Sequence, residues 1–388
     1  MQYSVTPQYV FQEAAFVENY KYFESCFQKL YPNYRVSYSF KTNYTPYICN
    51  LVKELGGYAE VVSMMEYTLA KKLGYSDDKI IFNGPSKEEF PDCILNVDNL
   101  DELKEAPNKK LGIRVNIDVG QGFVSRFGIT DLDEAFRIAG DRIVGIHCHI
   151  SQARSLEAWE KRTRTMLDIA DRYFPEGKLE YIDLGSGMYG DMADALKNQF
   201  SNVPTYEEYA AVTAGLMAEH FKGRHQPILF TEPGTTLINR YIDFVSKVIS
   251  IKEIRGKTFV ELNCSKHNLG EICELKKLPI TVIHKGGEKR SIVDGELVGY
   301  TCLEHDVVYR GFTGELAVGD IIVFGNVGGY TLVSKPPFIR PQCQMVTEKG
   351  IVIKKKETFE EVFQTYARCY RADYRLRQCL HARHSGQY

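Results

Sequence analysis

The sequence predicts an α/β fold: a (β/α)8 TIM-type barrel followed by a C-terminal all-β domain. Three observations carry this expectation. Eight short apolar runs alternate with amphipathic stretches up to about residue 240, the pattern of parallel strands joined by helices. Polar residues gather at the carboxyl ends of those runs, where a barrel keeps its chemistry. Past that point the helical stretches stop, and strands broken by glycine-rich turns take over.

Taken in order, residues 3–11 read as extended, and residues 12–30 carry a helical stripe that includes Phe16, Tyr20, Phe23, Phe27 and Leu30. The eight strands fall at 35–41, 58–62, 79–83, 93–97, 111–117, 143–149, 178–184 and 227–231. Helices between them are expected at Thr45–Leu55, Met64–Leu73, Leu156–Tyr173 and Tyr206–Phe221. An open doubly wound sheet is the alternative, but the first turn has no glycine-rich dinucleotide loop. Further strands are expected at Tyr241–Ile254, Thr258–Leu262, Ile280–His284, Ile321–Phe324 and Ile351–Lys354. The expected division is a barrel over residues 22–240 and a β-domain formed by residues 1–21 with 241–388. The tail from Tyr366 to Tyr388 is amphipathic at best.

A chain of 388 residues exceeds one ordinary core, in keeping with two domains. Its 48 basic and 50 acidic side chains leave a net charge of −2, which argues against a nucleic-acid or membrane surface. No segment approaches the roughly 20 apolar residues of a membrane span. The first residues lack the basic region and apolar run of an export signal. The ten cysteines are scattered with no C-x-x-C pair, so reduced thiols and a cytoplasmic location are expected.

The candidate chemistry begins at Lys41. From Arg35 onward, Val36, Tyr38 and Phe40 alternate with Ser37, Ser39 and Lys41, and the small residues give the lysine room. An amine shielded there could form a Schiff base with an aldehyde cofactor; the plainer reading is a lysine in solvent. Glu60, Asn116, His149, Asp183 and Glu232 also lie at or just past strand ends. Gly185-Ser186-Gly187 follows the seventh strand, where glycines free backbone N–H groups for a phosphate, or simply turn the chain. Glu232-Pro233-Gly234 ends the eighth, offering a carboxylate to a protonated ring nitrogen. His147-Cys148-His149 sets two histidines on one face of the sixth strand. One could stack on an aromatic cofactor, whereas a metal would need a third ligand that the spacing does not supply, so no metal is expected. In the β-region, Cys302 near His305 could act as an acid, and Tyr330 sits in a glycine turn.

In this order, the early-strand lysine, the His149-Ile150 pair, the glycine turn, Glu232-Pro233-Gly234, Cys302-x-x-x-Asp306 and Gly329-Tyr330 resemble the pyridoxal-phosphate decarboxylases of the alanine-racemase-like fold. That group includes the diaminopimelate, ornithine and arginine decarboxylases. The resemblance runs from about residue 5 to 345. It implies pyridoxal 5'-phosphate as cofactor and α-decarboxylation of an amino acid or amino-acid conjugate as the reaction. It implies that Lys41 is the Schiff-base lysine, that His149 stacks on the pyridine ring, and that Glu232 keeps the ring nitrogen protonated. Gly185, Gly187, Gly234 and Tyr330 would hold the phosphate, with Glu60 nearby. Cys302 would donate a proton from the partner subunit of a homodimer whose active sites lie at the interface.

The departures bear on the substrate. Thr235 stands where the family has arginine after Glu-Pro-Gly, and Ser151-Gln152 where it has Gly-Ser. Leu303 follows the cysteine in place of an acid, Asn268 aligns with a substrate-facing aspartate, and Gly270 falls near the arginine that clamps a distal carboxylate. An atypical distal group is therefore expected, read by Glu304, Arg154, Lys266 or His267 beside Leu303 and Asn268. The alternatives are a racemase of the same fold, disfavoured by Thr42-Asn43-Tyr44 after the lysine, and a non-catalytic homologue.

Overall fold

The computed structural model describes residues 5–366, so the tail expected from Tyr366 onward lies, past that residue, outside the described residues. Strand β1 (Gln8–Phe11) leads into the helix Glu13–Gln28, which buries Phe16, Tyr20, Phe23 and Phe27 along one stripe. Eight strands then close into a parallel barrel: β2 (Tyr34–Ser39), β3 (Tyr58–Val61), β4 (Ile80–Phe82), β5 (Ile94–Val97), β6 (Leu111–Arg114), β7 (Ile143–His147), β8 (Tyr181–Asp183) and β9 (Ile228–Thr231). Closure comes from β2 pairing with β9, Tyr34 opposite Leu229. Such strands are covered on both faces, which is why Ile80-Ile81-Phe82 is apolar throughout.

The helix expected over Tyr206–Phe221 contains a wide turn at Ala211–Gly215. Within it the Thr213 hydroxyl donates to the Tyr209 carbonyl at 2.7 Å, a side-chain bond that competes with the helical ladder.

The second region is a nine-stranded sheet completed by β10 (Ile242–Ile254), β11 (Lys257–Leu262), β12 (Ile280–Ile283), β13 (Arg290–Val298), β14 (Val307–Leu316), β15 (Ile321–Phe324), β16 (Gln344–Thr347) and β17 (Val352–Lys354). Its path is β14-β13-β11-β10-β1-β16-β17, with β15 joining β10 to β12. Strand β1 therefore belongs to this sheet, antiparallel to β10 and parallel to β16. Strands β13, β14 and β16 are additions to the sequence expectation. The β13–β14 pair carries Gly295, Gly311 and Gly314 and several register shifts, so its apolar alternation is broken. Among the described residues no helix is long and apolar enough to cross a membrane.

Candidate active site

The inward face of the barrel changes character along each strand. Residues two apart share a face, so Tyr58 is followed by Glu60, Ile81 by Asn83, Ile94 by Asn96, Tyr181 by Asp183 and Phe230 by Glu232. An apolar layer of Tyr58, Ile81, Val144, Tyr181 and Phe230 thus lies beneath a polar one at the strands' carboxyl ends. The Tyr181 ring fits because Gly112 and Gly145 face it, and a Cβ at either would overlap the ring. From the Tyr181 hydroxyl a chain of hydrogen bonds climbs to the site. It donates to Asn96 Oδ1 at 2.7 Å, Asn96 donates to Asn83 Oδ1 at 2.8 Å, and Asn83 donates to both Glu60 (3.2 Å) and Glu232.

Lys41 sits just past β2, in a short 3₁₀ turn over Phe40–Thr42, where the strand had been expected to continue. Its ammonium is 2.5 Å from Glu60 Oε2, which also accepts the Ser39 hydroxyl at 2.6 Å. Burial alone would lower the lysine pKa, but Glu60 and Glu232 outweigh it and hold the value above the ordinary one. His149 Nδ1 accepts the Ser186 N–H at 3.2 Å and lies 3.3 Å from Glu232 Oε2. Burial depresses its pKa against the pull of Glu232, leaving a neutral imidazole. Glu232 is 2% exposed, and burial opposes its charge, yet it stays anionic: His147 and Lys41 outweigh that burial and hold it well below the usual carboxylate range.

Two adjoining cavities, of about 480 and 460 Å³, share Lys41, His149, Ser151 and Glu232. The first extends past Glu60 and Asn83 to Arg114 and the loop Phe123–Phe127. The second extends over Gly187 and Gly234 to Arg154, Thr235 and Tyr330. The glycines there are sterically required. At Gly187 (φ +109°) a Cβ would stand 2.6 Å from the Ile150 carbonyl oxygen, and at Gly234 it would overlap the Thr42 hydroxyl. Gly185 (φ +61°) lies against His149 in the same turn. Arg162, fully buried, donates to the carbonyls of Leu184, Ser186 and Ile150 at 2.9 Å and so ties this turn to the segment after β7. The Tyr330 N–H donates to the Thr42 carbonyl at 2.9 Å, docking the sheet region onto the lysine turn.

Other candidates lie elsewhere. Asn116 braces the loop below it, donating to the Ser125 and Phe127 carbonyls. Asn268 is buried, and its side-chain oxygen accepts the Ser265 N–H at 3.0 Å, so it caps a turn and lines neither cavity. Gly270 (φ +73°) would place a Cβ 3.0 Å from the Tyr330 carbonyl oxygen. Lys266 pairs with Glu274, and His267 meets the edge of Phe338. Cys302, Leu303 and Glu304 stand on the connection between β13 and β14, with Cys302 and Glu304 exposed. They line neither cavity. Asp306 braces that connection, accepting from Ser265, the Lys266 N–H and both donors of Thr301. Sequence reasoning missed Asn83, Arg114 and Arg162 and gave His147 no role of its own. Asn83, at the end of the third barrel strand before Gly84-Pro85, was open to the same strand-end argument that found Glu60.

An amine beside a buried anionic carboxylate, a neutral imidazole and a glycine cradle suits pyridoxal phosphate. The amine can carry the aldehyde, the carboxylate can face the ring nitrogen, and the open backbone can take the phosphate. The pyridoxal-binding domain of pyridoxal-dependent decarboxylases matches residues 15–239, and the C-terminal sheet domain of the same enzymes matches residues 235–328. The diaminopimelate decarboxylase of Aquifex aeolicus is 24% identical over 397 residues, covering 92% of this chain and 91% of the relative. The crystal structure of diaminopimelate decarboxylase from M. jannaschii superposes with a TM-score of 0.80 at 24% identity, covering 93% of this chain and 92% of the other. The Helicobacter pylori diaminopimelate decarboxylase complexed with L-lysine gives 0.79 at 22%, covering 94% and 97%. The chain therefore belongs to the pyridoxal-dependent decarboxylases, carboxy-lyases that act on amino acids with pyridoxal phosphate as cofactor.

Proposed function

We propose that this enzyme removes the α-carboxylate of an amino acid, or of an amino-acid conjugate, whose distal end is neither the carboxylate of diaminopimelate nor a simple ammonium. The observation that carries the reading is the meeting of Lys41, His149 and Glu232 on the wall shared by both cavities. Bound there, pyridoxal phosphate supplies a sink for the electron pair left when the Cα–carboxylate bond breaks. Lys41 is the attachment amine, and Glu60 holds it in place until the cofactor is taken up. His149, as a neutral imidazole, would pack on the cofactor's ring. Glu232 would accept a hydrogen bond from a protonated ring nitrogen as a full anion, which a neutral partner could not do as strongly. Gly185, Gly187, Gly234 and Tyr330 would hold the phosphate.

The distal group is read where the family's charged residues are missing. Thr235 lines the second cavity, Asn268 is turned inward as a cap, and a side chain at Gly270 has no room. A carboxylate or ammonium set against those three positions would lack the partner the family places there, a mismatch of a few kcal/mol. Arg154 lines the same cavity and is, besides Lys41, its one cation among the described residues. The Cys302 thiol returns the proton to Cα from the partner subunit of a homodimer, which its exposed place on a braced connection supports.

Peptide mapping after borohydride treatment of the cofactor-loaded protein tests the attachment: the label belongs on Lys41. Co-expression of Lys41→Ala with Cys302→Ala tests the partner's thiol, since statistical mixing of two dead chains restores about a quarter of the activity. A panel of amino acids and their conjugates, followed by carbon dioxide release, tests the substrate. Efficient turnover of plain diaminopimelate, ornithine or lysine overturns that part of the reading. Loss of optical activity without carbon dioxide would instead favour a racemase.

A further inference from the structure

Glu232 is not a solitary carboxylate. His147 Nε2 lies 3.2 Å from Glu232 Oε1, and His147, Asp183 and Glu232 each bring one atom within 4.8 Å of the others. All three side chains are almost wholly buried. Both ring nitrogens of His147 and Oδ2 of Asp183 are sealed from solvent without hydrogen-bond geometry to any described residue. The other carboxylate oxygen of Asp183 accepts the Gly185 N–H at 2.9 Å, which fixes its orientation. Two buried carboxylates this close cannot both carry charge, so the pair must retain a proton. Burial and the charge of Glu232 push the Asp183 carboxyl well above the aspartate range, whereas His147 and Lys41 hold Glu232 low. The proton therefore resides on Asp183.

Such a set of atoms could also close around a metal ion. Against that, Lys41 beyond β2 and Arg162 on the helix Leu156–Tyr173 already bear on Glu232 with positive charge. The remaining groups facing it are His147 and His149 from the β7 segment, Asp183 from β8 and Glu60 from β3, the last joined to it through Asn83.

We propose that Asp183, as a neutral acid, and His147 are positioning residues that hold Glu232 anionic, so that the electronic state of the cofactor's ring nitrogen is set by this buried trio and not by Glu232 alone. The proposal rests on the reading that Glu232 faces that nitrogen.

The test uses the holoenzyme loaded with pyridoxal phosphate labelled with ¹⁵N in the ring, and follows the ¹⁵N chemical shift with pH. His147→Gln removes the strongest support of the anion, so the nitrogen loses its proton at a pH lower by about one unit or more. Asp183→Asn imitates the protonated acid and leaves the midpoint where it is, with an unchanged melting temperature. An unmoved midpoint in His147→Gln, or an Asp183→Asn shift as large as that of His147→Gln, overturns the proposal. Glu232→Gln separates the two levels. If it moves the ¹⁵N shift while His147→Gln does not, the proposal alone falls; if it does not, the reading of Glu232 falls with it.

Discussion

Replacing Arg162 by leucine should loosen the Gly185–Gly187 turn, proposed to hold the phosphate, and weaken cofactor binding. The guanidinium is fully buried and donates to the carbonyls of Leu184, Ser186 and Ile150 at 2.9 Å and of Ala153 at 3.5 Å. Leucine would strand the three close acceptors, at about 1–3 kcal/mol each. Loss of the cation stacked 4.0 Å over Trp159 adds about 1 kcal/mol. In the other direction, burial pulls the Arg162 pKa down to about 10 against the nearby negative groups, Glu232 among them. Releasing that charge from the interior returns several kcal/mol. The expected net loss is about 3 kcal/mol, larger than a surface substitution and smaller than the sum of its bonds. Denaturant unfolding of the cofactor-free protein measures the stability term, and titration with pyridoxal phosphate measures the second consequence, a dissociation constant raised about tenfold or more. A variant within about 0.5 kcal/mol of the parent and within twofold in cofactor affinity would refute the assignment of Arg162 as the tie beneath the turn.

Gly234→Ala should cost about 1–3 kcal/mol in thermal unfolding, because the new methyl overlaps the Thr42 hydroxyl and lies 2.9 Å from its Cβ. Glu232→Gln should lower kcat by about a hundredfold or more with a much smaller change in KM, as measured in steady-state decarboxylation. Tyr181→Phe should destabilise the protein by about 1–2 kcal/mol, since Asn96 loses the donor that orients it and with it the chain leading to Asn83. Glu66 is buried and its pKa is pushed up to about 7, with the Val62 N–H opposing and Glu60 reinforcing the shift. Its folded-state pKa exceeds the unfolded one, so its contribution is fully present below about pH 4.3 and is lost as pH rises through 7. Glu66→Gln should therefore flatten the decline in unfolding free energy between pH 5 and 8, as urea titrations at successive pH values would measure.

The barrel was legible because strands covered on both faces are written as nearly uninterrupted apolar runs, and the residue that follows each run is conspicuous. Lys41, His149, Glu232 and the Gly185–Gly187 turn could be picked out for that reason, and their order linked them to a family. The supporting layer was only partly legible. The strand-end argument reaches Asp183 and was open to Asn83, but nothing in their spelling says which groups they meet inside the barrel, and Arg162 looks like any charged position on an amphipathic helix until the helix is docked. The Tyr181 ring depends on Gly112 and Gly145, two glycines on other strands whose empty space is defined only by closure of the barrel. Strands β13 and β14 escaped for the opposite reason: their glycines and bulges break the alternation that would have announced them. The role proposed for Cys302 calls for a second copy of the chain, which its own sequence does not spell.

The pairing of β1 has a consequence for the order in which the enzyme is made. Gln8 is bonded across to Val245 and alongside Gln344, partners 237 and 336 residues further along the chain. When the ribosome has delivered all eight barrel strands, the first strand of the chain still has no neighbour on either edge. The barrel can close early on its local βα contacts, while the segment before it waits, unpaired, for β10 and then β16. Strand β1 thus waits longest for its partners, and its unpaired edges are where aggregation of nascent chains should start.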